Sequence, residues 1–422
     1  MRITHYPALD EELYFQALPN GLQIAVVKKP GFSKKCAYLA ANYGSIDTRY
    51  TLGGEAHTSP DGVAHYLEHK MFDLPGRDVS AEFAELGANP NAFTAYSMTA
   101  YYFTCTLHFD RCLRLLLEFV STPYFTEESV EKERGIIGQE IRMYEDNADS
   151  KVYEDLFSAM YRKHPVRVPI AGSEESIGNI TAQTLYDCYR AFYHPGNMIL
   201  TVVGDVDPEE VVRIARDFFP DGPGEMPVRD YGEAEAMVCR GRDSSRVMDV
   251  AMPTFQLGFK CPWPGKGPAC VHQQIIGDLV AEALMGESSR LYLRLYREGL
   301  IDGSFSAGYE DLPGVALLSC GGDSRNPEAV RQAIWEEAER ISREGIDEAL
   351  FLRLKKSALG RRFRSLDSFD SLCFRICAAH FDEVQYLDFP AQYEAVTREQ
   401  VEQFLRQTVG RDNCAMSVVL PR

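Results

Sequence analysis

The chain has 422 residues, 45% of them hydrophobic and 25% charged, with 44 Lys plus Arg set against 62 Asp plus Glu for a formal charge of −18. That length is too great for one core and suits two large domains, and the composition excludes a disordered or low-complexity chain. The acidic balance argues against a nucleic-acid partner, since such binding draws on a basic surface; it weakly favours neutral or basic peptides and leaves room for a local basic patch.

Met1 to Asp10 contains no apolar run of the secretory kind. The longest apolar stretches, such as Met198–Val203, are far too short to span a bilayer. No membrane partner and a cytoplasmic location are therefore expected. Eleven cysteines are scattered from Cys36 to Cys414 with no repeated C-x-x-C, which reads as buried, reduced thiols.

In chain order, Leu22–Val27 and Cys36–Tyr43 read as strands, and the Gly/Pro turn between them predicts a hairpin. Phe93–Leu107, rich in Thr, Tyr and Phe, reads as one or two further strands. Arg111–Val120, Glu127–Tyr144 and Pro208–Phe218 carry helical periodicity. The stretch Pro220-Asp-Gly-Pro-Gly-Glu-Met-Pro227 is rich in breakers and stays polar to about Arg242. It predicts a first domain over 1–220, a linker over 221–242 and a second domain over 243–422.

The two halves resemble one another. With an offset of 216, Thr181 aligns with Thr397, Leu185 with Val401, Arg190 with Arg406, Asn197 with Asn413, and Val202-Val203 with Val418-Val419. Each copy reads as a Thr-capped amphipathic helix, a polar turn and an apolar strand, so duplication is expected. Strands and helices in blocks predict an α+β fold of two related, layered domains with mostly antiparallel sheet.

The chemistry is concentrated in Asp61-Gly-Val-Ala-His65-Tyr-Leu-Glu68-His69-Lys-Met-Phe72. On a helix His65 and His69 are one turn apart, so both imidazoles leave one face at chelating distance. Glu68 falls on the same side, where a carboxylate can hold a water beside a metal. Val63, Tyr66, Leu67 and Phe72 can cover the other faces of a helix set into a core. A two-histidine site needs a third ligand and one open position. Glu133 and Glu140, two turns apart in Glu127–Tyr144, share a helix face with Ile136, Ile137 and Ile141 interleaved. Thr126 suits the N-cap of that helix. Gly135 and Gly138 in its interior each cost about 1 kcal/mol relative to alanine, a loss that close approach of a neighbouring helix would offset.

H-x-x-E-H followed some seventy residues later by E-x-x-x-x-x-x-E resembles the pitrilysin and insulinase family of zinc peptidases, the inverzincins. Gly87-Ala-Asn-Pro-Asn91-Ala92-Phe93-Thr94 resembles that family's substrate-binding edge strand, and Phe192–Met198 with Val202–Asp205 its first-domain closing segment. The length is similar to the small two-domain members, such as mitochondrial processing peptidase subunits. The resemblance implies paired α+β domains forming half of a clamshell, with the second domain non-catalytic. It also implies one zinc ion per chain held by His65, His69 and Glu140, Glu68 as general base, and Glu133 as a supporting acid behind the ligands. Asn91, Ala92, Phe93 and Thr94 would bind an extended peptide by strand addition.

One departure has consequences for partners. Members that act alone carry an arginine and a tyrosine near a Leu-Arg-Glu…Gly-Leu-x-Tyr segment. In Ser289–Phe305, Arg297 is available as a substrate-binding arginine, while the tyrosine position falls on Asp302 or Phe305. The expected assembly is a homodimer or a heterodimer with a related zinc-less subunit that supplies the pair; Tyr309 is the local alternative. His194, in a turn before a strand, reads as a local hydrogen-bonding residue.

Overall fold

The computed structural model describes residues 1–219, 222–239 and 241–422. Pro220, Asp221 and Arg240, which fall at or inside the expected linker, lie outside the described residues. Contacts divide the chain into two compact units.

The first unit is built on a seven-stranded sheet of β1 (Arg2–Tyr6), β2 (Glu11–Ala17), β3 (Gln23–Lys28), β4 (Lys35–Ala41), β5 (Asn89–Thr94), β6 (Thr99–Cys105) and β7 (Met198–Gly204). Their order across the sheet is β1-β2-β3-β7-β4-β6-β5. The second unit has a five-stranded sheet of β8 (Ser244–Met248), β9 (Thr254–Cys261), β10 (Ser306–Leu312), β11 (Val315–Asp323) and β12 (Cys414–Pro421), ordered β8-β12-β9-β11-β10. The helices used below are α1 (Val63–Met71), α2 (Phe109–Ser121), α3 (Glu127–Glu145), α4 (Ala148–Met160), α5 (Ala182–Phe192), α6 (Pro268–Met285), α7 (Arg290–Arg297), α8 (Pro327–Glu344), α9 (Glu348–Arg364), α10 (Phe369–Phe381) and α11 (Arg398–Thr408).

The expected duplication is visible strand by strand. β7 runs parallel to β3 and antiparallel to β4; β12 runs parallel to β8 and antiparallel to β9. Every other pairing in the two sheets is antiparallel. Thr181 and Thr397 each close a capping box at the start of α5 and α11. The aligned asparagines make the same pair of bonds. Asn197 donates to Phe192 O at 2.8 Å and Asn42 O at 3.1 Å, while Asn413 donates to Thr408 O and, at 2.8 Å, to Lys260 O. In both copies the amide ties the end of the helix to the strand that will neighbour the next one.

The hairpin expected from Leu22–Val27 and Cys36–Tyr43 does not form. β7 lies between the two strands, with Leu200 opposite Ile24 on one side and Leu39 on the other. Both strands are buried apolar runs that need a partner on each edge, and β7, buried along its whole length, satisfies both. The connecting turn instead straps the end of β7, through Lys29 N to Gly204 O at 2.9 Å and Gly31 N to Asp205 Oδ2 at 3.0 Å.

Period-two alternation gives the first sheet two covered faces. Ala37, Leu39, Leu200 and Val202 join Tyr66 and Leu67 of α1 and Leu113, Leu116 and Leu117 of α2 in one core. On the other face α10 packs, with Tyr38 donating to Asp370 at 3.1 Å and the Cys377 thiol donating to Thr201 Oγ1 at 3.3 Å. Each large apolar side chain buried in this way contributes about 1.5–3 kcal/mol. In the second unit α4 occupies the corresponding place, and a Cβ added at Gly258 of β9 would lie 2.4 Å from Met160 Sδ.

The compact units therefore depart from a single cut near the expected 221–242 linker. The first unit comprises 1–141, 169–231 and 363–388; the second comprises 142–168, 232–362 and 389–422. The reason is the apolar faces of α4 and α10, each of which is buried on the sheet built mainly from the other half of the sequence. Residues 222–231 are pinned to the first unit: Arg229 pairs with buried Asp47 at 3.0 Å, and Tyr231 donates to the same carboxylate at 2.9 Å. Residues 232–239 belong to the second, where Glu235 accepts from Arg162 N and His164 N and faces Lys260 at 3.5 Å. All eleven cysteines are free and buried. No helix among the described residues is long and apolar enough to cross a membrane.

Candidate metal centre

Helix α1 is buried on almost every side, because Val63, Tyr66, Leu67 and Met71 fill the core while His65 and Glu68 are themselves covered. It starts on Gly62, whose left-handed φ of 88° and close approach to Ala171 O, 2.4 Å from a would-be Cβ, exclude any other residue without strain. Two polar ties then fix α1 to α3: the Tyr66 hydroxyl donates to Val130 O, and buried Lys70 reaches Ser129 O at 3.4 Å and Asp73 at 2.5 Å. Thr126 caps α3 by accepting from Ser129 N at 3.1 Å.

This packing brings three side chains to one point. His65 Nε2 lies 3.6 Å from Glu140 Oε1, and His69 Nε2 lies 3.4 Å from Glu140 Oε2. One donor atom from each of His65, His69 and Glu140 falls within 4.8 Å of the others. Zinc bonds of about 2.1 Å in a tetrahedron put ligand atoms about 3.4 Å apart, so the trio fits such an ion with little adjustment. Behind it, Glu133 Oε1 meets His69 Nδ1 at 3.0 Å, which fixes the ring and leaves Nε2 toward the cluster. His65 has no such tie, its buried Nδ1 being without a hydrogen bond.

Glu68 stands apart from the trio. It accepts a hydrogen bond from Thr94 Oγ1 at 2.7 Å, and that threonine ends β5. Burial pushes the Glu68 carboxyl up, more than His65, Thr94 and His69 pull it down. Burial alone would lower the His69 imidazole, but hydrogen bonds to Glu133 and Glu140 outweigh it and hold the ring up at about 10. Three carboxylates around two imidazoles thus leave negative charge in excess, the electrostatic condition for holding a cation.

β5 is the last strand in its sheet, pairing only with β6. Its residues divide by face. Thr94 reaches toward Glu68, whereas Phe93 lies against Tyr38 and Phe374 with ring centroids 6.5 and 5.7 Å away. Asn91 is exposed and Ala92 half-buried, so the outer edge is open to an added strand. Sequence reasoning placed Thr94 on this edge and missed its hydroxyl contact; nothing in the spacing of Glu68 and Thr94 signals it.

Two expectations fail locally. Gly135 of α3 is exposed, and a Cβ added there would meet nothing within 4 Å, so no neighbouring helix explains it. Ile136 is likewise exposed, while Ile137 and Ile141 are buried and Glu133 and Glu140 are partly covered. Arg297 belongs to the second unit, exposed at the end of α7. Asp302 accepts from Ser304 N at 2.8 Å in a turn, Phe305 is buried, and the Tyr309 hydroxyl accepts from Gln273 at 2.7 Å. His194 meets Pro223 O, the local bond expected of it.

The family described as Insulinase (Peptidase family M16) matches residues 53–174, and the Peptidase M16 inactive domain matches 179–358. The zinc protease YmfH of Bacillus subtilis, itself uncharacterized, is 37% identical over 99% of this chain and 98% of its own length. The chain belongs to the M16 insulinase family. A solved M16-like peptidase from Alicyclobacillus acidocaldarius superposes with a TM-score of 0.94 at 34% identity, covering 98% of this chain and 99% of that one. A Schizosaccharomyces pombe protein named "probable mitochondrial-processing peptidase subunit beta" is 26% identical over 76% of this chain and 74% of its own. The match over 53–174 includes α1 and α3, and the inactive-domain match over 179–358 begins in the first unit and covers most of the second.

Proposed function

We propose that this chain is a zinc endopeptidase acting on unfolded or flexible peptides. The observation that carries the reading is the convergence of His65, His69 and Glu140 beside a separate, buried Glu68. A zinc ion held there would polarise the scissile carbonyl and acidify a water. Glu68 takes the proton from that water and passes it to the leaving amine, held for both transfers by Thr94. Glu133 keeps the His69 ring turned so that Nε2 is the free donor. The open edge of β5, Asn91–Thr94, pairs with the peptide backbone, which makes binding tolerant of sequence.

The same reading includes a partner. The place of the family's tyrosine falls on Asp302 or Phe305, the first committed to a turn and the second to the core. A related subunit without the zinc motif would then supply the arginine–tyrosine pair, with Arg297 as this chain's own contribution to substrate. A cytoplasmic site of action completes the proposal and is checked by cell fractionation.

The test is cleavage of a quenched, unstructured peptide library by the purified chain, with and without candidate zinc-less relatives, beside Glu68→Gln. Cleavage that requires Glu68 supports the peptidase, and a large gain on mixing supports the partner. Full activity from this chain alone rejects the partner. Equal cleavage by Glu68→Gln rejects the mechanism, and inactivity in every mixture favours a scaffold of the same fold.

A further inference from the structure

The second unit contains a cleft of about 1090 Å³ whose charge runs against that of the chain. Helix α7 buries Leu291 and Leu295 and turns Arg290, Arg294 and Arg297 to the cleft at spacings of four and three. Arg353, on α9, joins them. Like charges at that spacing destabilise a helix. The helix dipole favours Arg294 and Arg297 near the C-terminus but opposes Arg290, the first residue of α7.

None of these four guanidinium groups forms an ion pair or side-chain hydrogen bond with a described residue, although the chain carries 62 acidic side chains. The remaining arginines of the cleft are neutralised. Arg340 pairs with Glu337 and Glu344, both at 2.7 Å, and Arg398 with Glu348 at 3.2 Å. What is left is a row of unsatisfied forks beside Leu293, a large apolar side chain left exposed.

We infer that this cleft binds an acidic peptide segment, with carboxylates on the arginine row and an aliphatic side chain against Leu293. Guanidinium forks match carboxylates two bonds at a time. A nucleic-acid backbone fits less well, because the exposed Leu293 beside the arginines suits an aliphatic side chain and offers a continuous run of phosphates nothing. The inference shares only Arg297 with the peptidase reading and goes beyond it, since binding here needs neither the metal centre nor turnover.

The probe is a fluorescent ten-residue peptide alternating Glu and Leu, its anisotropy followed on the full chain carrying Glu68→Gln so that cleavage cannot intervene. The expected result is saturable binding that weakens steeply with salt. Arg290→Glu with Arg294→Glu should raise Kd about tenfold or more, the scale of one or two lost charge-assisted bonds. Arg353→Glu, on a different helix, should weaken binding in the same direction even if the α7 variant folds poorly. A Lys–Leu peptide of equal length should bind less tightly. Binding indifferent to both charge reversals, a preference for the Lys–Leu peptide, or tighter binding of a single-stranded oligonucleotide would each overturn the inference. Absence of peptide cleavage by the chain with Glu68 intact, alone or with a partner, while binding here persists, would instead count against the peptidase alone.

Discussion

At the residue scale the centre separates two jobs that a cluster of like side chains could confuse. Glu140 lies with the histidines, Glu133 lies behind one of them, and Glu68 is held off by Thr94. Glu68→Gln keeps the shape and removes the proposed base, so kcat should fall by at least about 10²-fold while zinc content is unchanged. Glu133→Ala leaves His69 without its anchor; zinc affinity, measured by competition with a chromogenic chelator, should weaken by about 10–100-fold. Retained affinity would mean that His69 keeps its orientation without Glu133. The convergence of His65 and His69 was legible because helical spacing converts H-x-x-E-H directly into geometry, whereas Glu140 came from the family resemblance. The Thr94 contact was not, since it joins side chains from two elements whose packing no local pattern records.

At the element scale, α1 depends on a turn with no room for a side chain. Gly62→Ala places a methyl group 2.4 Å from Ala171 O in a left-handed conformation, and should destabilise the first unit by more than about 1 kcal/mol, seen as a lower thermal midpoint. An unchanged midpoint would show that the 169–172 loop yields freely. Asn413→Ala removes both ties between α11 and β9, a loss of about 1–3 kcal/mol read in the same way. The helix at Glu127–Glu145 followed from periodicity and the strand at Thr99–Cys105 from its Thr, Tyr and Phe content, while most of Asn89–Thr94 was legible only through the family resemblance. The supposed hairpin shows where that stops. β3 and β4 are separated by a strand almost 160 residues away, and an apolar run states that it needs neighbours without stating which.

At the scale of the whole molecule, a duplicated sheet has kept its topology while its halves diverged in chemistry. Strand order and direction match between β3-β7-β4-β6-β5 and β8-β12-β9-β11-β10, and so do the paired asparagines. The one His/Cys/Asp/Glu cluster suited to a metal among the described residues is in the first unit. The offset repeat in the sequence foretold the duplication, because capped helices and buried strands leave a local signature. It did not foretell that α4 and α10 each join the sheet of the other half, since an amphipathic helix does not encode which apolar surface covers it.

A zinc titration of the chelator-stripped protein, read simultaneously as bound metal and as peptide cleavage in the presence of whatever partner activity requires, tests the central claim most directly. Binding and activity should both saturate at one equivalent per chain, and Glu68→Gln should bind the same equivalent and stay inactive. Cleavage that survives without metal, or zinc binding undiminished in a His65→Ala, Glu140→Ala double variant, would contradict that claim.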